Sequence, residues 1–189
     1  KLRAGERVRI WSAGCSNGQE AFSIAMSLLE KSPEIADTDL RILATDIDPN
    51  VVAFANQGSY PERLVGGIPP KMLAKYFVKN EDNTESIFQA RDALKKMVSF
   101  RELNLLSNWP MQQKIDLIFC RNVVIYFDLE TQNKLWPRFY GALSPDGYLF
   151  LGHSERIADP ESAGFFTYGP TTYRPNSSHS GSTSQTKGK

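Results

Sequence analysis

Short apolar stretches alternate with longer amphipathic ones along most of this chain, and that alternation predicts its elements. Residues 7–11, Arg-Val-Arg-Ile-Trp, place apolar side chains at every second position, as a half-buried strand does. Residues 21–29, Ala-Phe-Ser-Ile-Ala-Met-Ser-Leu-Leu, then fall into helical spacing. A second strand is predicted over 39–45 and runs into Asp46-Ile47-Asp48-Pro49, where Asp48 is placed to cap a helix that Pro49 opens. Residues 98–102 predict a third strand and 115–120 a fourth. The fourth, Ile-Asp-Leu-Ile-Phe-Cys, is apolar apart from Asp116, as the buried middle of a parallel sheet requires. Residues 129–143 predict a helix that Pro137 should kink or split. A turn at 143–147 precedes a fifth strand at 148–152, and 165–174 predicts a last strand or hairpin arm. The end of the chain, 176–189, is polar, small and without periodicity, and is expected to be disordered.

Strands alternating with helices predict an α/β fold with a doubly wound, mostly parallel sheet and right-handed crossovers. Such sheets bind ligands at the carboxyl ends of their strands. Polar residues recur at those ends: Ser12 to Asn17 after the first strand, Asp46 after the second, Asn104 after the third, Arg121 and Asn122 after the fourth. A buried strand gains nothing by ending in Arg-Asn unless those groups find partners. The first of these connections holds Gly14 and Gly18 ahead of a helix. Glycine takes positive φ and admits a ligand close to the backbone, and the helix start favours a polar or anionic group. The full G-x-G-x-x-G spacing of dinucleotide binders is not there.

Residues 60–96 break the alternation, being too long for an ordinary βα connection. They contain Gly-Gly-Ile-Pro-Pro at 66–70, a helical stretch at 71–77, an acidic polar tip at 80–86 and an alternating stretch at 86–91. This reads as an inserted subdomain of antiparallel strands, either a decorated loop or a docking surface whose strand edge accepts a partner's extended peptide.

Charge removes several function classes. With 22 basic and 21 acidic residues among 189, the net charge of +1 offers no footprint for nucleic acid and no polybasic membrane patch. No apolar run is long enough to span a bilayer, and the first residues do not read as a signal peptide. Cys15 and Cys120 are far apart and outside any C-x-x-C pair, so reduced thiols in a cytoplasmic protein are expected. His153 and His179 do not share metal-ligand spacing with them, so no metal is expected. The chain opens on Lys1 rather than methionine, which is expected of a piece of a longer protein.

Five motifs in order, WSAGCSNGQEAFSIAM, ATDIDPNVVAFANQGSY, FRELNLL, IDLIFCRNVVIYFD and LSPDGYLFLGHSE, resemble the CheR family of chemotaxis receptor methyltransferases. The resemblance spans residues 5–175. It implies a class I S-adenosylmethionine (SAM)-dependent methyltransferase fold, Rossmann-like, with 1–59 and 97–175 as the SAM-binding domain and 60–96 as the family's β-subdomain. It implies transfer of methyl groups to glutamate side chains on the cytoplasmic helices of methyl-accepting chemoreceptors, with S-adenosylhomocysteine as product. The family's helical N-terminal domain is expected to be absent from residues 1–189. At 17–21, where family members commonly carry Thr-Gly-Glu-Glu-Pro, the chain has Asn-Gly-Gln-Glu-Ala. Its 80–86 stretch lacks the glycines of members that dock on a receptor's C-terminal peptide, which leaves peptide tethering through 60–96 open.

Carried over residue by residue, the resemblance places Gly14 and Gly18 around the methionine moiety and makes Glu20 a cofactor contact. Asp46 would accept the ribose hydroxyls, as the acid of dinucleotide binders does. Asn104 and Leu105 would flank the adenine, Arg121 and Asn122 would lie under the sulfonium, and Tyr126 near the methyl. A glutamate carboxylate is already ionised near neutral pH, so no general base is needed. Arg121 is the side chain expected to pair with it, and Tyr126 to donate to it or shape the pocket. His153, in Gly-His-Ser-Glu, is expected to have a structural hydrogen-bonding role. Two other readings fit part of the pattern: a nicotinamide-dependent oxidoreductase, for which no Tyr-Lys or His pair is found, and a non-catalytic scaffold.

Overall fold

The computed structural model describes residues 1–81 and 85–176. Chain order begins with β1 (Val8–Ala13), α1 (Gln19–Lys31), β2 (Leu40–Asp46) and α2 (Pro49–Gln57). The insertion follows: β3 (Ser59–Pro61), α3 (Glu62–Val65), α4 (Pro70–Tyr76), β4 (Phe77–Glu81), β5 (Ser86–Ala90) and α5 (Asp92–Lys95). The chain then returns through β6 (Val98–Glu102), β7 (Ile115–Cys120), α6 (Leu129–Ala142), β8 (Leu143–Leu151) and the hairpin β9 (Phe165–Gly169) and β10 (Thr172–Pro175).

Seven strands form one sheet in the order β6-β2-β1-β7-β8-β10-β9. The five from β6 to β8 are parallel, and β10 runs antiparallel to both its neighbours. From β1 the chain steps to β2 and β6 on one side and later to β7 on the other, so the order reverses between β1 and β7. Crossovers on either side of that point leave in opposite directions and open a crevice at the carboxyl ends. Alternation within β1 feeds two cores. Ile10 packs with Phe22, Met26, Ile42 and Phe100 beneath α1, whereas Trp11 packs with Ile118, Leu135 and Phe139 beneath α6. Trp11 is fully buried, and its indole Nε1–H donates to the Thr45 hydroxyl at 2.9 Å. Replacing it with alanine is expected to cost about 3–5 kcal/mol.

Residues 103–114 join β6 to β7 without a helix. Trp109 takes that place: its ring meets Trp11 edge-on at 4.8 Å, and the Arg138 guanidinium lies 4.3 Å above it. Pro137 does not split α6, because Leu135, Trp136 and Phe139 are buried on either side and their packing outweighs the missing hydrogen bond. The predicted turn at 143–147 lies inside β8 as an irregularity. Leu143 partners Ile115 and Tyr148 partners Leu117, so 144–147 are extra residues opposite Asp116. Residues 165–174 form two hairpin strands rather than one.

The insertion is a separate antiparallel sheet of order β3-β5-β4, with Tyr60, Phe77 and Phe88 buried against the first core. Residues 82–84 of its acidic tip, and residues 177–189 of the tail expected to be disordered, lie outside the described residues.

Candidate functional site

Two loops and two strand ends enclose a cleft of about 490 Å³ at the β1/β7 boundary. That volume suits a nucleoside-sized ligand.

The first loop follows β1. The Gly14 and Cys15 N–H groups both donate to the Thr45 carbonyl at 2.8 Å, which folds the turn over the end of β2. The Ser16 N–H donates to Asp46 Oδ2 at 2.8 Å. Gly14 and Gly18 take φ of 83° and 85°. A Cβ at Gly14 would lie 2.3 Å from Val123 Cγ2, and one at Gly18 would lie 2.8 Å from Ala55 and Phe100, so both positions exclude side chains for space as well as for backbone. Asp46 Oδ1 accepts the Asp48 N–H at 3.1 Å, and Asp48 caps α2 through the Asn50 N–H, as predicted. The Asp46 carboxylate thus stands at the cleft wall with lone pairs to spare on both oxygens. After β6, Asn104 Oδ1 accepts the Leu106 N–H at 2.8 Å. Leu105 is buried, and its carbonyl accepts from Trp109 Nε1.

The second loop, residues 121–127, follows β7. Asn122 takes φ of 59°. Ser16, at φ 47°, and Asn122 are the non-glycine residues with positive φ among the described residues, and both line the cleft. Strain of this kind persists where the surroundings over-determine it and concentrates at functional sites. The surroundings of the second loop are chiefly one buried side chain, with Gln132 Nε2 also donating to the Val124 and Phe127 carbonyls. Glu155, 3% exposed, accepts the N–H groups of Asn122 (2.9 Å), Val123 (2.8 Å), Ile125 (3.3 Å) and Gly152.

Of the residues singled out in the sequence, Gly14, Asp46, Asn104, Leu105, Asn122 and Tyr126 line this cleft. Tyr126 stands at its mouth, 81% exposed. Gly18 lies behind the wall and shapes it. Glu20 and Arg121 do not line the cleft. They form an ion pair of 3.1 Å, with Glu20 also accepting from Ser12 Oγ at 2.8 Å, and border an adjoining groove of about 410 Å³ between α1 and β7. Ser16, within the polar 12–17 stretch singled out after the first strand, also lines it, whereas sequence reasoning missed Ile47, Leu103, Leu106, Val123 and Phe127 in the lining, and Glu155 behind it. Ile47 and Leu106 are more than half exposed at the lip, which suits the face of a planar ring. The expected role of His153 is not met: its side chain is exposed and makes no hydrogen bond among the described residues, and the neighbouring Glu155 does the structural work. Burial, then the nearby Asp46 charge, pushes the Cys15 thiol up to about 12, and burial pushes Cys120 up as well, so both are poor nucleophiles. Among the described residues no three His, Cys, Asp or Glu side chains gather as a metal site needs, and no helix is long and apolar enough to cross a membrane.

Comparison with known proteins gives a consistent picture. Residues 1–172 match the family described as CheR methyltransferase, SAM binding domain. A probable chemotaxis protein methyltransferase of Rhizobium etli is 47% identical over 174 residues, covering 92% of this chain and 65% of that protein. The chemotaxis protein methyltransferase of Borreliella burgdorferi is 43% identical, covering 89% of this chain and 59% of its own length. That of Escherichia coli is 39% identical, with coverage of 92% and 60%. The chain therefore spans roughly three-fifths of the length of the curated relatives it matches. A TehB-like SAM-dependent methyltransferase from Corynebacterium glutamicum shares the fold, with a TM-score of 0.50 at 14% identity over 90% of this chain and 79% of that one.

Proposed function

The chain belongs to the CheR methyltransferase family, as its SAM-binding domain, and on that premise we propose that the full-length protein methylates glutamate carboxylates on the cytoplasmic helices of chemoreceptors. The observation that carries the cofactor half of this reading is the convergence of Gly14, Asp46, Asn104 and Asn122, from four different strand ends, on one cleft. Their chemistry fits the cofactor: Asp46 offers acceptors to ribose hydroxyls, Asn104 and the Leu103 to Leu106 segment offer polar edges and an apolar face to adenine, and the glycine turn leaves room beside its backbone.

When bound, S-adenosylmethionine supplies a methyl group on a positively charged sulfur. An acceptor carboxylate is already ionised near neutral pH, so the residues around it would have no proton to remove. What remains for the protein is alignment, which is worth several orders of magnitude in rate. Arg121, 47% exposed and held to Glu20 through one nitrogen, keeps the rest of its fork without a partner among the described residues. That fork is suited to orient an incoming carboxylate. The Glu20 carboxylate, set by Ser12 and Arg121, is suited to a cationic amino group at the far end of the cofactor. Tyr126 would close over the reacting groups from the mouth. In the same reading the β4 edge of the inserted sheet, at 60–96, is a docking place for an extended receptor segment, and the reaction takes place in the cytoplasm.

Calorimetric titration of the full-length protein with S-adenosylhomocysteine, with NADH as the control, tests the cofactor half. Binding of the first alone is expected, and binding of NADH alone would overturn the reading. The substrate half is tested by transfer of labelled methyl to receptor fragments in which the acceptor glutamates are intact or changed to alanine. Label that persists on the alanine fragments removes the glutamate assignment.

A further inference from the structure

Glu155 is a charged side chain almost wholly removed from water, at 3% exposure, with no lysine or arginine in ion-pair distance among the described residues. A buried carboxylate in that position is strongly disfavoured unless donors replace its hydration. The donors here are all backbone. Oε1 takes the N–H groups of Val123 and Ile125, and Oε2 takes those of Asn122 and Gly152. Its own N–H closes a tight turn onto the Gly152 carbonyl at 3.0 Å. The carboxylate is thereby anchored at the end of β8 while it gathers three amides of the neighbouring loop. A Cβ on Gly152 would collide with both, lying 2.5 Å from Glu155 Oε2 and 2.8 Å from the Asn122 nitrogen, so the packing leaves no slack. The loop so held contains Arg121, the left-handed Asn122, Val123 and Tyr126.

We propose that Glu155 is a positioning residue for methyl transfer, its buried carboxylate fixing the 121–126 wall so that Arg121, Asn122 and Tyr126 are aimed before any ligand arrives. The proposal deepens the methyltransferase reading and rests on it. Glu155 touches neither cofactor nor substrate; it acts through three amides. Only an anion with two acceptor oxygens satisfies all of them. In Glu155→Gln one oxygen becomes an NH2 that faces N–H donors, so half the anchor turns repulsive while side-chain volume is kept.

The test uses full-length protein, wild type and Glu155→Gln, with Glu155→Asp as a second variant that keeps the charge but shortens its reach. Amide hydrogen exchange of ligand-free wild type should show Asn122, Val123 and Ile125 protected well beyond ordinary loop amides. In Glu155→Gln that protection should vanish while the amides of β1, β2 and β7 remain protected. Affinity for S-adenosylhomocysteine should fall about tenfold with loss of charge-assisted anchoring. The rate constant kcat should fall further, by about a hundredfold as misalignment implies, with the receptor KM changed little. Glu155→Asp should lie between the two. Unprotected loop amides in the wild type would overturn the proposal even if neither variant folds. Protection lost evenly across the whole sheet would make Glu155 merely structural, and unchanged affinity and kcat in a variant with freely exchanging loop amides would also overturn it. Wild type that fails to bind S-adenosylhomocysteine defeats the methyltransferase reading, and the proposal with it. Wild type that binds while Glu155→Gln binds equally well defeats the proposal alone.

Discussion

The two loops that face each other across the cleft solve one problem in opposite ways. Each must turn sharply at the end of a parallel strand and keep its backbone close to a ligand. The loop after β1 does this with glycines at 14 and 18 and with acceptors from the adjacent strand, the Thr45 carbonyl and the Asp46 carboxylate. The loop after β7 has no glycine. It bends at Asn122 and is held by a carboxylate reached from the next strand's end, about thirty residues later in the chain. The difference teaches that a ligand-facing turn can be shaped by permissive residues within it or by a rigid anion behind it. In the first case the turn carries its own signature, and in the second the signature lies elsewhere.

The comparison is best broken at its anchors. Asp46→Ala removes the first loop's carboxylate together with both proposed ribose contacts. Calorimetry should show S-adenosylhomocysteine bound about a hundredfold more weakly, since two hydrogen bonds to an ionised acceptor are lost at about 1.5 kcal/mol each. An affinity within threefold of wild type would show that Asp46 serves the loop and not the ligand. Gly14→Ala tests permissiveness directly. Left-handed backbone and the collision with Val123 should together reduce stability by about 2 kcal/mol in urea unfolding. Val123→Ala in the same chain should restore part of that, and a double-mutant cycle measures the coupling between the two walls. Asn122→Gly gives the second loop the residue its rival uses. Released strain is offset by a more flexible unfolded chain, so stability should change by less than about 1 kcal/mol. A gain well above that would mean Glu155 holds the loop against more strain than its φ suggests.

This contrast also explains what could be read from the sequence. The strand ends of β1 and β2, the glycine turn and Asp46 were readable because their constraints are local: glycine marks positive φ, and an acid closes an apolar strand. Asn104 and Asn122 were readable as polar residues where a buried strand stops. Glu155 was not, because its partners are backbone amides of residues 122–125, which have no sequence signature, and the nearby His153 is the more conspicuous side chain. The mutual pairing of Glu20 and Arg121 was hidden for a related reason, since the sequence places both near the site but does not say that they meet in the adjoining groove.

The cleft draws its walls from Gly14 through Phe127, with each strand end supplying a part. No shorter stretch of the chain encloses it. A partly folded molecule, with only the β1-β2-β6 side in place, would have one wall and nothing opposite. Occupancy of the cleft is therefore thermodynamically tied to completion of the central sheet, and ligand at a hundred times its dissociation constant adds about 2.7 kcal/mol to the stability of the whole domain. In a cell that maintains the ligand, the supply of small molecule becomes a determinant of how much of this protein survives unfolding.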